Sequence, residues 1–166
     1  MNTKNYNEIK GTIIKTHQIA VEILDADTIV FEDLFTKAQT EVRLYGLDAP
    51  ENKLNRKIKM DEQISRLPAQ LLVEMGQKAT DFVLEKLPPG TQCTLISERK
   101  NIVDIYGRSL AYIIMPSGAC LNEVIVEEGF AKVTENYPCE KLSLYYYKSF
   151  KAKQMKKGLY QIVPFY

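Results

Sequence analysis

Apolar and polar positions alternate with a period of two over residues 11–24, where Ile19, Val21 and Ile23 stand against Ala20 and Glu22. This is the pattern of a half-buried strand. A turn at Asp25-Ala26 follows, and residues 28–31 and 40–45 predict two more strands joined by a polar stretch at 33–39. In the third strand Val42 and Leu44 share one side while Glu41, Arg43 and Tyr45 share the other, which sets Arg43 off the core face. After Pro50 the period is lost, and a long polar, basic loop is expected at about 52–67. Helical spacing then takes over: Leu71, Leu72, Met75, Ala79, Phe82 and Val83 follow Pro68, with Met75 and Phe82 expected in the core, until Pro88-Pro89-Gly90 stops the helix. Residues 91–97 and 109–115 predict the fourth and fifth strands. A short helix at about 119–128 ends at Gly129, and a last one at 140–157, with Leu144, Tyr147 and Lys151 on one stripe, ends at Gly158.

Five short strands with about three α-helices make an α+β order, and a meander with a crossover fits a small Greek-key β-barrel. The 166 residues suit a single domain, with its core at about 11–160. A hydrophobic fraction of 45% and a charged fraction of 26% are those of a globular chain, neither disordered nor fibrous. No internal repeat and no transmembrane run stands out.

A net charge of +1 gives little bulk attraction for a polyanion, so only local patches matter. Lys53, Arg56, Lys57 and Lys59 form one patch, and Lys148, Lys151, Lys153, Lys156 and Lys157 another with no acid among them. Residues 1–16 lack the apolar run of a secretory signal, which places the chain as it stands in the cytoplasm, or outside it or in the periplasm if a leader has been removed. Cys93, Cys120 and Cys139 include no CxxC pair and are expected as reduced, non-catalytic thiols.

His17 is the only histidine. Histidine triads and histidine metal sites are therefore all but excluded, and no GxGxxG or P-loop sequence is present. Acid–base work falls to carboxylates, a tyrosine or a metal-bound water. Asp25-Ala26-Asp27-Thr28 lies at a turn between strands, and Asp48-Ala49-Pro50-Glu51 runs off the end of the third. Two carboxylates from separate segments, with a backbone carbonyl and waters, suit calcium, which accepts several hard oxygens in loose geometry. Either aspartate alone is explained as well by turn chemistry. Arg43 and Arg108 change that balance, because guanidinium groups present paired donors to phosphate oxygens and stay charged.

With these residues in place, the segments ILDADTI, VRLYGLDAPE, DIYGRSLAYI and LNEVIVEEGFAKV resemble, in order and spacing, signature blocks of the staphylococcal nuclease family, and the lysines and KKGLY of the last helix resemble its closing segment. The resemblance implies a five-stranded OB-fold barrel and a calcium-dependent endonuclease. Its substrates would be single-stranded or locally unpaired DNA and RNA, and its products would carry 3′-phosphate ends. Separately from the resemblance, the chain is expected to be a monomer with no membrane partner. Carried over position by position, Asp27 and Asp48 would bind Ca2+ through their side chains and Ala49 through its backbone carbonyl, with Asp25 in support. Glu51 would orient or deprotonate the attacking water. Arg43 and Arg108 would hold the scissile phosphate. Tyr106, Tyr137, Lys53, Arg56 and Lys57 would contact the substrate.

The chain departs from the family pattern at its rim. Ala49 stands where threonine is frequent, Ile105 where lysine is frequent and Glu135 where a tyrosine often lies, and the stretch at 52–75 is longer than in compact secreted members. These changes bear on end-phosphate binding more than on catalysis. The alternatives are a non-catalytic OB-fold module that only binds nucleic acid, and a partner-binding barrel using the Tyr145-Tyr146-Tyr147 run.

Overall fold

The computed structural model describes residues 4–166, so residues 1–3 of the expected single-domain span lie outside the described residues. Along the chain run α1 (Lys4–Asn7), β1 (Thr12–Asp25), β2 (Thr28–Asp33), β3 (Gln39–Leu44), β4 (Leu47–Asp48), α2 (Arg56–Ser65) and α3 (Ala69–Lys86). Then come β5 (Gln92–Glu98), β6 (Ser109–Ile114), α4 (Leu121–Glu127), β7 (Lys132–Val133), α5 (Leu142–Gln154) and a 3-10 turn, Gly158–Gln161. The five long strands close into a barrel in the order β1-β2-β3-β6-β5. All pairs are antiparallel except β3 with β6, whose parallel register sets Arg43 beside Leu110. The α+β OB-type barrel expected from the sequence is the architecture found.

β1 is long enough to serve both neighbours because it bends. Its pairing slips between Lys15 and Gln18 on the β5 side and between Ala20 and Glu22 on the β2 side. His17 sits in the first slip with φ 58° and lies on the surface. Such bulges re-aim the side chains that follow. This corrects the simple alternation expected for the strand: Ala20 is fully buried while Ile19, Val21 and Ile23 are half-buried. The barrel is filled by residues such as Ile29, Phe31, Val42, Leu44 and Ile96, and α3 closes one end with Leu72, Met75, Ala79 and Val83. Met75 is core as expected, whereas Phe82 is half-buried and stacks on Phe130, ring centroids 4.2 Å apart. Burial pushes the Cys93 thiol up to about 12 and the Cys120 thiol up to about 11, which keeps both protonated at neutral pH.

Two helical expectations need correction. The stretch 52–67 is not a loop throughout, because α2 occupies ten of its residues. Its start is capped by the Asn55 side chain, which accepts the Ile58 N–H at 3.0 Å, and its end by Arg66 in the left-handed conformation. Only Ile58 of α2 is buried, and with three apolar residues in ten, Ile58, Met60 and Ile64, the helix is too polar overall to stand out from a loop. In α5 the inward face is Tyr145, Ser149 and Ala152, while Tyr147 and Lys151 are exposed. Tyr145 alone of the three tyrosines is core, and its ring packs on Gly46, where φ is +75° and any Cβ would meet that ring.

Candidate active site

The site begins at the β1–β2 turn. Asp25 Oδ1 accepts the Asp27 N–H at 3.1 Å, which fixes the turn and points the Asp27 carboxylate across to the segment after β3. There Asp27 Oδ2 accepts the Ala49 N–H at 2.8 Å and pairs with Arg43 Nη2 at 3.1 Å, while Oδ1 accepts the Thr28 hydroxyl at 2.9 Å. Burial alone would raise the Asp27 pKa, but the Arg43 charge and the hydrogen bonds outweigh it and hold the carboxyl below its usual value. Asp25 goes the other way. Burial, reinforced by the negative charge of Asp27, pushes it up to about 8.

Arg43 is the hub. The alternation rule sends its side chain off the barrel core, as expected, yet it is only 2% exposed, because the site itself covers it. Nη1 donates to the carbonyls of Leu47 at 2.9 Å and Leu44 at 3.3 Å, Nη2 reaches Asp48 Oδ1 at 3.0 Å, and the Tyr137 ring lies 4.1 Å from the guanidinium carbon. Its planar fork binds two acids and three carbonyls at once, the third being that of Asp27 at 3.5 Å, which an ammonium group cannot do.

α2 supplies the next layer. Lys57 Nζ lies 3.0 Å from Asp48 Oδ1 and 2.9 Å from Glu51 Oε1. Burial works against the Lys57 charge, but Asp48, Asp27 and Glu51 overcome it and raise its pKa. Asn55 Nδ2 donates to Glu51 Oε2 at 2.6 Å. On the far wall, Asp104 Oδ1 accepts the backbone N–H groups of Tyr106 and Arg108, both at 2.9 Å, and Oδ2 accepts Arg108 Nε at 2.7 Å. Arg108 Nη2 donates to the Tyr137 hydroxyl at 3.2 Å. Partial burial disfavours the Arg108 charge, but the bond and charge of Asp104 more than restore it.

Most of these side chains line one open cavity of about 970 Å³, whereas Asn55, Asp104 and the expected ligand Ala49 are not part of its lining. Asp25, Asp27, Asp48 and Glu51 border it together with Arg43 and Lys57, and Arg56, Tyr106, Arg108 and Tyr137 complete the expected residues that reach it. Lys53, expected to contact substrate, is exposed and does not line the cavity. A second concavity of about 540 Å³ adjoins across Tyr106 and Tyr137. Several residues the sequence did not single out take part: Asn55 and Asp104 as anchors, and Met60, Asp61 and Ile64 of α2 in the lining. For Asn55 a signal was present, an asparagine three residues before a buried isoleucine. For the inner face of α2 there was a weak one, the helical spacing of Lys57, Met60, Asp61 and Ile64 in an otherwise polar stretch.

Residues 41–161 match the family described as "Staphylococcal nuclease homologue". This chain belongs to that family. The match takes in Arg43, Asp48, Glu51 and Arg108, whereas Asp25 and Asp27 precede it and join the site through the contacts above. Endonuclease YhcR of Bacillus subtilis (strain 168) is 32% identical over 124 residues, 74% of this chain. An uncharacterized endonuclease of Escherichia coli O157:H7 is 28% identical over 144 residues, 87% of this chain. An uncharacterized protein of Bacillus anthracis is 33% identical over 128 residues, 76% of this chain. The matched region spans 9% of the B. subtilis protein, 48% of the B. anthracis protein and 76% of the E. coli one. Among the described residues no helix is long and apolar enough to cross a membrane.

Proposed function

We propose that this chain is a nuclease that hydrolyses phosphodiester bonds of single-stranded or locally unpaired DNA and RNA with the help of Ca2+, leaving 3′-phosphate ends. The observation that carries the proposal is that the carboxylates Asp27, Asp48 and Glu51 share one open cavity with Arg108 and with Arg43 between them. The nuclease names of two relatives and the family membership support the same reaction class.

The donor chemistry fits calcium. Among the described residues no three acidic, histidine or cysteine side chains are grouped to hold an ion, and the proposed set is the carboxylates of Asp27 and Asp48, the Ala49 carbonyl and water, all hard oxygens. Lys57 already rests a cation against Asp48 and Glu51. Bound there, calcium would neutralise charge on the phosphate and lower the pKa of a coordinated water.

The chain's own residues supply the rest. Glu51 accepts a proton from, or aligns, the attacking water. Arg108, pinned by Asp104 and Tyr137, offers donors to the phosphate oxygens that gain charge. Arg43 holds Asp27 and Asp48 in mutual register. Exposed Tyr106 and half-buried Tyr137 offer ring faces to unpaired bases.

Incubation with single-stranded DNA and with RNA, in calcium and in chelator, tests the proposal. Cleavage in calcium alone, with 3′-phosphate ends, is expected. No cleavage at any pH at which the protein stays folded overturns it and leaves a nucleic-acid-binding module, a use for which exposed Ile105 and Tyr106 at the rim would serve equally.

A further inference from the structure

Glu51 is held at both ends of its carboxylate by the start of α2. Oε2 takes the Asn55 amide at 2.6 Å and Oε1 takes the Lys57 ammonium at 2.9 Å. Asn55 has a second attachment, because its Oδ1 accepts the Ile58 N–H at 3.0 Å and so caps α2. One side chain therefore ties the first turn of a helix to the acid proposed to handle water.

The chemistry of that tie is selective. Serine, threonine, aspartate and asparagine all cap helices, but only the amide pairs an acceptor for the helix N–H with a separate N–H donor for a carboxylate. Both partners fix the same amide orientation, since exchanging its nitrogen and oxygen would set an acceptor against Glu51 and a donor against the Ile58 N–H. Lys57 cannot replace this direction, as it is a rotatable point charge already shared with Asp48. The Glu51 backbone is fixed from beneath, where α3 packs Gly76 against its carbonyl. With the backbone seated on α3, the contact that sets the carboxylate plane is Asn55.

We propose that Asn55 is a positioning residue for Glu51, and that α2 serves the reaction through this contact; the proposal rests on the nuclease reading above. N55S and N55T test it, because each keeps a capping oxygen and removes the amide donor without adding charge beside Glu51. The expected result, in calcium with a single-stranded substrate, is a kcat lower by at least about tenfold with KM unchanged, the mark of an interaction made in the transition state. Melting temperature and helical circular dichroism stay at parent values. Parent-like kcat in both variants overturns the proposal and leaves Asn55 as a cap. So does a fall in kcat that merely follows a fall in melting temperature. If the parent itself cleaves nothing, the nuclease reading falls and this inference with it, a result visible before either variant is made.

Discussion

At the scale of single residues, the two arginines do different work although both face the same cavity. Arg43 is 2% exposed and binds two carboxylates and three carbonyls. Removing it strands Asp27 as a buried, uncompensated charge, and losing one partner of such a pair costs about 3–5 kcal/mol. Arg108 is partly open, and although its partner Asp104 is nearly buried it keeps two backbone donors of its own, so removing Arg108 should cost less than removing Arg43, about 1–2 kcal/mol. Arg43→Ala is therefore expected to lose stability and cleavage together, and Arg108→Ala to lose cleavage by two or more orders of magnitude, roughly the worth of a charge-stabilising donor, with a smaller fall in melting temperature. Equal melting temperatures for the two variants would contradict this division. A separate acid-side effect belongs to Asp33 at the β2–β3 turn. Its carboxylate accepts the N–H groups of Phe35 and Thr36, each at 2.9 Å, and the Gln18 amide at 2.8 Å, and these bonds lower its pKa to about 2. Because the folded value lies below the unfolded one, this contribution is complete above about pH 4 and disappears as pH falls towards 2. Asp33→Ala should flatten that part of the acid unfolding curve, which fluorescence or circular dichroism against pH would record.

At the scale of elements, the site is a junction of the β1–β2 turn, the segment after β3 and two helices, and Gly76 is where α3 meets it. A Cβ at Gly76 would collide with the Glu51 carbonyl oxygen, which is backbone and has no room to rotate away. Gly76→Ala should move residues 50–51, at a stability cost of about 1–3 kcal/mol. An ångström of misplacement lowers turnover by about a hundredfold. Denaturant melts and kinetics on the same variant check both, and a stable, fully active protein would show the contact to be soft. The sequence displayed the strands and α3 through their periods, and it placed Arg43 on the correct side of β3. It did not display α2, because a helix so polar, with one buried residue, reads as a loop even where its few apolar residues keep helical spacing. Nor did it choose the inward row of α5, since spacing defines rows while Gly46 decides which one fits. The acids and arginines of the site were legible as candidates from residue type and their place at strand ends, and the family resemblance gave each its role. That Arg43 is buried follows from Tyr137, distant in sequence, lying over it.

At the scale of the whole molecule, a net charge of +1 provides little steering of a polyanion, so attraction has to arise in the cavity. The cavity does not provide it unaided. Asp25, Asp27, Glu41, Asp48, Glu51 and Asp61 line it against Arg43, Arg56, Lys57 and Arg108, and Arg43 and Lys57 are already committed to acids. Even with Asp25 protonated, as a pKa of about 8 implies at neutral pH, the lining has no surplus of positive charge for a phosphate. A divalent cation held by Asp27 and Asp48 would reverse that balance, and phosphate and cation would then each raise the other's affinity by the same factor. This coupling is measurable without turnover. In Glu51→Gln, expected to bind and not cleave, the affinity for a short labelled single strand should rise at least about tenfold when calcium replaces chelator, a coupling of about 1.4 kcal/mol. Calcium affinity, titrated by calorimetry, should rise equally when the strand is present. Strand binding that ignores calcium would place the phosphate away from Asp27 and Asp48, and with it the scissile bond.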